Sequence, residues 1–327
     1  NIPMGSLLSA MSDTDEERAT LSSARGLGSI VGNLIPMILF PILLGIFGDS
    51  AKGFGIGATI CAVVGGVMCF FHYAWTEERN VSTDPSAPAD TVKISDILNV
   101  FKSNRAFLAL CLHGICICTM QNASSSLGTY MYQDVLGNIS MMSLASTISM
   151  PLSLVFMFLA PKVAKKLGLE SMIRYGLLIS CGMFVVLFGL HMVTNVNIWV
   201  HIIWSSLASG FSSLSVLLQW GLVGEVIDYN DYLTGKRTEG SIYGTFNLTR
   251  RIGNTIGSSL AVLLLGVVGY QAGAAVQSAA AITGIKTLCV LLPGIFALGS
   301  WAAFKFVWNI TPEIRAKMAA AQEAKAA

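Results

Sequence analysis

The chain has 327 residues, 54% of them hydrophobic and only 12% charged, with a formal net charge of +2. Soluble domains carry about 25% charged residues, so this composition cannot cover a water-soluble body of this size and points to the bilayer as solvent. The small charge balance gives no reason to expect a nucleic-acid partner. The seven cysteines all lie in apolar runs and read as small buried hydrophobes, not as a disulfide scaffold or a metal cluster.

The chain opens on Asn1-Ile2-Pro3, in an apolar stretch that ends near Met11. About ten residues cannot cross a hydrocarbon core that needs about twenty. The stretch therefore reads as the end of a helix that begins earlier, and the sequence as the C-terminal part of a longer protein. A charged loop from Asp13 to Arg25 follows. Apolar spans are then predicted at 26–47, 54–75, 106–130, 141–160, 175–193, 198–223, 241–268 and 286–308. Pro36 and Pro41 predict kinks in the first of these.

The longest connection, 76–105, contains the Pro-rich stretch Asp84-Pro-Ser-Ala-Pro-Ala89. Ile94, Ile97, Leu98 and Phe101 then recur at helical spacing beside Lys93 and Lys102, the pattern of an amphipathic surface helix. A linker of this kind predicts two helix bundles, with 1–75 before it, 106–308 after it and 309–327 as a tail. Alternate loops collect Arg18, Arg25, Arg79, Lys93, Lys102, Arg105, Lys162, Lys165, Lys166, Arg174, Lys236 and Arg237, while the opposite side has Lys52 and Lys286. Lysine and arginine mark the cytoplasmic side, so the linker and the C-terminus are expected there.

The span 241–268 holds the chemistry that most needs explaining. Arg250 and Arg251 lie ten and eleven residues beyond Gly240, about 15 Å deep at 1.5 Å per residue. Each central arginine costs roughly 2.5–3.5 kcal/mol on insertion scales, so a pair facing lipid is not tolerated without water or partners. Tyr243, Asn247, Arg250, Arg251, Asn254 and Ser258 fall on one polar stripe. Gly253 and Gly257 form a small face of the GxxxG type, which lets another helix approach closely. The helix is expected to have one face on a wet cavity and one face packed.

The turn before this span gathers Glu225, Asp228, Tyr229, Asp231 and Tyr232, then Lys236 and Arg237. Acids that end one helix and bases in the turn can form an ion-pair gate, with Arg18 and the loop around it supplying further partners. Gln121, Asn122, the serines 124–126, Ser205, Ser206, Ser209, Ser212, Ser213 and Gln219 interrupt other spans. Cavity lining and ordinary helix–helix hydrogen bonding fit these equally well. The histidines His72, His113, His191 and His201 are isolated in sequence and read as structural. There is no HExxH, nucleophile elbow, Walker loop or dinucleotide fingerprint in a suitable context, so neither an enzyme nor a bound cofactor is expected.

These residues resemble a known family. Asn1-Ile-Pro-Met-Gly-Ser-Leu7, Met11-Ser-Asp-Thr-Asp-Glu-Glu-Arg18, Tyr132-Gln-Asp-Val-Leu-Gly-Asn138, Glu225-Val-Ile-Asp-Tyr229, Gly235-Lys-Arg-Thr-Glu-Gly240 and Gly269-Tyr270 are similar to stretches of the glycoside–pentoside–hexuronide:cation symporters of the major facilitator superfamily. The resemblance implies an all-α, two-bundle fold. Residues 1–75 would be the end of helix four with helices five and six, 76–105 the cytoplasmic linker, and 106–308 a C-terminal six-helix bundle. It implies cation-coupled symport of a sugar, glycoside or hexuronide by alternating access, as a monomer in the bacterial inner membrane. Na⁺, Li⁺ or H⁺ would be the coupling ion, bound mainly by helix-two aspartates outside this sequence. Asn1 falls where a sugar-binding aspartate stands, and Gly5 where a tryptophan stacks on the sugar. Arg25 matches an arginine near the sugar site. Arg251 falls at a lysine position close to both sites, with Asn247 and Arg250 flanking it. Arginine's planar fork suits a carboxylate, so a uronic acid is a natural substrate. Two other readings use the same features: a transporter of a lipid or other amphiphile, and a membrane sugar sensor that does not transport.

Overall fold

The computed structural model describes residues 28, 32, 43, 46, 51–76, 100–101, 103–139, 141–235, 239–274 and 276–326. The chain forms two compact units, Asn1–Thr91 and Val92–Ala327. In the first unit, α1 runs Ala51–Trp75. Its side chains Val63, Met68, Phe70 and Tyr73 are exposed, as suits a helix whose solvent is lipid. Gly28, Gly32, Leu43 and Ile46 are helical. The rest of the predicted span 26–47 lies outside the described residues.

The second unit is helical throughout its regular elements. In order come α2 (Arg105–Val135), α3 (Met141–Leu167), α4 (Leu169–Val193), α5 (Ile198–Thr234), α6 (Glu239–Val267), α7 (Ala279–Val307) and α8 (Pro312–Ala326). Side-chain caps start several of them. Asn104 accepts from the Phe107 amide at 2.9 Å to begin α2, Asn197 caps α5, and Ser278 caps α7, each satisfying an amide with no partner inside the helix. Short π-wound turns, Met131–Val135 in α2 and Thr287–Leu291 and Ala303–Val307 in α7, widen those helices locally.

Every span predicted from residue 54 onward is a helix, but the ends differ. The predicted span 198–223 continues to Thr234. Apolarity marks where a chain leaves the bilayer, not where its helix stops. The stop is Gly235, at φ 67, whose amide bonds the Asp231 carbonyl; that left-handed conformation favours glycine. Likewise the loop expected between 160 and 175 is reduced to Gly168, at φ 82, between α3 and α4.

Among the described residues, α1, α2, α4, α5 and α7 are long and apolar enough to cross a membrane. With 27 and 29 residues, α3 and α6 are also long enough, about 40 Å at 1.5 Å per residue. In the second unit α2 packs chiefly on α6, α4 on α5, α3 on α5, and α7 on α2 and α4. One core cluster includes Phe107, Ile117, Leu177, Leu222, Phe246 and Phe304; a second includes Leu127, Met131, Leu187, Ala261 and Ile285.

Candidate functional site

The glycine face of α6 seats it on α2. A β-carbon added at Gly253 would stand 2.7 Å from the Ile115 carbonyl oxygen, and one at Gly257 2.5 Å from that of Thr119. Side chains are excluded from this seam, so the backbones touch. Polar bonds stitch its edges: Thr119 Oγ1 donates to the Gly253 carbonyl at 3.1 Å, and Asn122 Nδ2 donates to Asn254 Oδ1 at 2.9 Å. Such interhelical bonds add modestly to a seam of this kind.

Beside this seam the predicted polar stripe is divided between several environments. Tyr243 lies with its ring centroid 5.5 Å from that of Trp220 on α5, and Asn247 Nδ2 donates to the Tyr243 carbonyl at 3.0 Å. Arg250 is half-buried. Its guanidinium carbon sits 5.1 Å from the centroid of the Trp220 ring, and its Nε is buried without a hydrogen-bond partner among the described residues. Trp220 also meets Phe246 edge-on at 5.6 Å. Arg250 therefore leans toward the start of α6, the direction in which helical side chains tilt. Arg251 and Ser258 are exposed. Two adjacent arginines thus do different things: one is stacked against an indole and the other is open.

At the end of the second unit where α5 projects, Arg315 of α8 forms an ion pair with Glu225 through both guanidinium Nε and Nη2, the latter at 3.3 Å from Oε2. The Glu225 hydrogen bond holds the Arg315 guanidinium proton more tightly than usual, against an opposing burial effect. Asn309 Nδ2 donates to the Tyr229 hydroxyl at 2.9 Å, and Ile310 before α8 and Met318 within it are buried. Asp228 is half-buried one turn beyond Glu225. Sequence reasoning treated residues 309–327 as a plain tail and so missed Arg315. The signal was present in Thr311-Pro-Glu313, a helix start with proline at the first position and an acid in the first turn. Trp220 was missed as well, because an aromatic residue inside an apolar span carries no sequence mark of its own. Asn1, Arg18, Arg25 and Arg237 lie outside the described residues.

The remaining polar side chains divide. Ser124, Tyr132, His201, Ser205, Ser209 and Cys289 line an open pocket of about 150 Å³. Ser206 bonds Ser149 at 2.7 Å, and Ser212 and Ser213 bond carbonyls of their own helix. Two of the histidines read as isolated are partners: His191 and His201 face each other at 3.0 Å across the α4–α5 turn. His113 is fully buried and bonds Ser300 at 2.5 Å. Among the described residues no group of three or more His, Cys, Asp or Glu could hold a metal ion.

A helical bundle of membrane-spanning length, with arginines carried mid-helix on a polar stripe, defines a multi-pass membrane protein. The chain belongs to the MFS/sugar transport protein family, matching it over residues 1–311. It is 28% identical to the uncharacterized symporter YjmB of Bacillus subtilis, over 97% of this chain and 68% of that protein. It is 28% identical to the glucuronide carrier protein homolog of Escherichia coli, over 94% of this chain and 65% of the relative, and 26% identical to the putative sulfoquinovose importer of the same organism, over 95% and 65%. The chain thus spans about two thirds of the length of these relatives.

Proposed function

We propose that the protein is a secondary transporter that moves a sugar, glycoside or hexuronide together with Na⁺, Li⁺ or H⁺ by alternating access. It works as a monomer in the bacterial inner membrane, with its C-terminus in the cytoplasm. The observation that carries this reading is the arginine pair at mid-span of α6, with Arg251 open on a polar stripe. Substrate sites of secondary transporters lie near the bilayer midplane, between repeats. Two relatives carry names for anionic sugars, a glucuronide and a sulfoquinovose, and an arginine fork matches a carboxylate or sulfonate. The substrate class is therefore an anionic sugar. We assign Asn247, Arg250 and Arg251 of the second unit to its binding.

Glu225 and Arg315, together with Asp228 and Arg237 of the same unit, form a cytoplasmic gate. Such a gate must break once per cycle, which a partly solvated ion pair permits at small cost. Full-length protein in proteoliposomes should accumulate labelled methyl β-glucuronide when a Na⁺ or H⁺ gradient is imposed. Uptake that is indifferent to collapse of every ion gradient would sink the symport reading.

A further inference from the structure

The second unit contains a Trp220 that the transport reading leaves unused. The residue is 38% exposed. Two other tryptophans of the bundle are tied down by their N–H groups: Trp204 Nε1 donates to the Met183 carbonyl at 2.8 Å, and Trp308 Nε1 to that of Ile310 at 3.3 Å. Trp220 is held differently. Among the described residues its recorded interactions are with the rings of Tyr243 and Phe246 and the guanidinium of Arg250, and its indole N–H has no hydrogen bond.

The indole is braced by two aromatic rings, Tyr243 with its plane 30° from that of the indole and Phe246 edge-on, and so has a fixed orientation. A pyranose presents an apolar face of C–H bonds and a rim of hydroxyls. The indole matches this with an electron-rich face and a spare donor at its edge. The Arg250 guanidinium holds the ring by a cation–π contact, and its Cγ lies where a β-carbon on Gly114 would come within 3.3 Å, so α2 packs against its stem. Arg251, one residue on and exposed, has no such restraint among the described residues and can turn its fork to a ligand.

We propose that Trp220 is the platform on which the sugar ring lies, that Arg250 is a positioning residue acting through Trp220, and that Arg251 takes the anionic group of the substrate. This rests on the reading of the protein as an anionic-sugar transporter and assigns its side chains separate tasks.

The test uses full-length protein in proteoliposomes with labelled methyl β-glucuronide as substrate and neutral methyl β-glucoside as competitor. Trp220→Leu should raise KM about three- to tenfold, the range of one aromatic contact, with kcat nearly unchanged. The glucoside should lose inhibitory potency by the same factor, and Trp220→Phe should recover most of both. Arg251→Gln should weaken the glucuronide while leaving inhibition by the glucoside as it was. Arg250→Gln should raise KM in the wild-type background and add little on top of Trp220→Leu, since a residue that acts through another is not additive with it. Membrane levels of each variant are measured alongside. Wild-type uptake with an unchanged KM in Trp220→Leu overturns the platform alone, as would a tryptophan that only anchors the helix at a lipid interface. An equal cost of Arg250→Gln in both backgrounds overturns the positioning role. Wild-type vesicles that take up no glucuronide under any gradient refute the transport reading, and the platform with it.

Discussion

Gly257 lies so close to Thr119 that a β-carbon on the glycine would stand 2.5 Å from the threonine carbonyl oxygen, and 2.9 Å from the Asn122 β-carbon. The two helices that carry the candidate site's seam therefore meet backbone to backbone. Since a carbonyl oxygen inside a helix has nowhere to move, a side chain here forces the helices apart.

Gly257→Val is expected to destabilise the protein by about 1–3 kcal/mol, the usual cost of overpacking. The readout is the thermal midpoint of detergent-solubilised protein. Gly266→Ala, on the same helix with nothing within 4 Å of its β-carbon position, should leave the midpoint in place. Equal midpoints for wild type and Gly257→Val would show that the seam is looser than described.

The Asn122–Asn254 bond should contribute modestly. Interhelical hydrogen bonds in membrane proteins average about 0.6 kcal/mol in double-mutant cycles. Asn254→Ala and Asn122→Ala should each lower stability, and the double variant should lose less than the sum. Strict additivity would mean that the two amides do not act on each other.

For Glu225 and Arg315 the expected coupling is roughly 1 kcal/mol, because the arginine side chain is 38% exposed and solvent screens it. The cycle of Glu225→Gln, Arg315→Gln and their combination, read by thermal unfolding at low and high salt, measures it. The coupling should shrink as salt rises. The exchange Glu225→Arg with Arg315→Glu should restore part of the loss that either single reversal causes.

Arg251→Lys should support uptake of a uronide better than Arg251→Gln but less well than wild type. Lysine keeps the charge and loses the planar fork. Initial uptake rates at subsaturating substrate order the three proteins, and any other order removes Arg251 from the anion site.

Much of this was legible in the chain because a bilayer imposes long apolar runs. The helices from residue 54 onward, the small face at Gly253 and Gly257 and the polar stripe of α6 could all be read from spacing. What spacing could not supply was partnership. Glu225 and Arg315 are ninety residues apart, and nothing in either neighbourhood names the other. The pairing of His191 with His201 needed the α4–α5 turn to be closed. The division of Arg250 from Arg251 depended on Trp220, which belongs to a different helix. The length of α5 was underestimated because hydropathy follows the solvent, while the helix follows its own hydrogen bonds until Gly235 breaks them.

That length has a mechanical consequence. With 37 residues, α5 is about 55 Å long, against a hydrocarbon core of about 30 Å. Some 25 Å of stiff rod is left over, and it acts as a lever. Glu225 stands nine residues before the helix end at Thr234, so a lever arm of about 11 Å reaches it, and a tilt of about ten degrees moves it by roughly 2 Å, enough to carry a hydrogen-bonded charge pair beyond bonding distance. A slight rocking of α5 in the bilayer is thus passed outward along the projecting rod, where a single acid and a single base can report it.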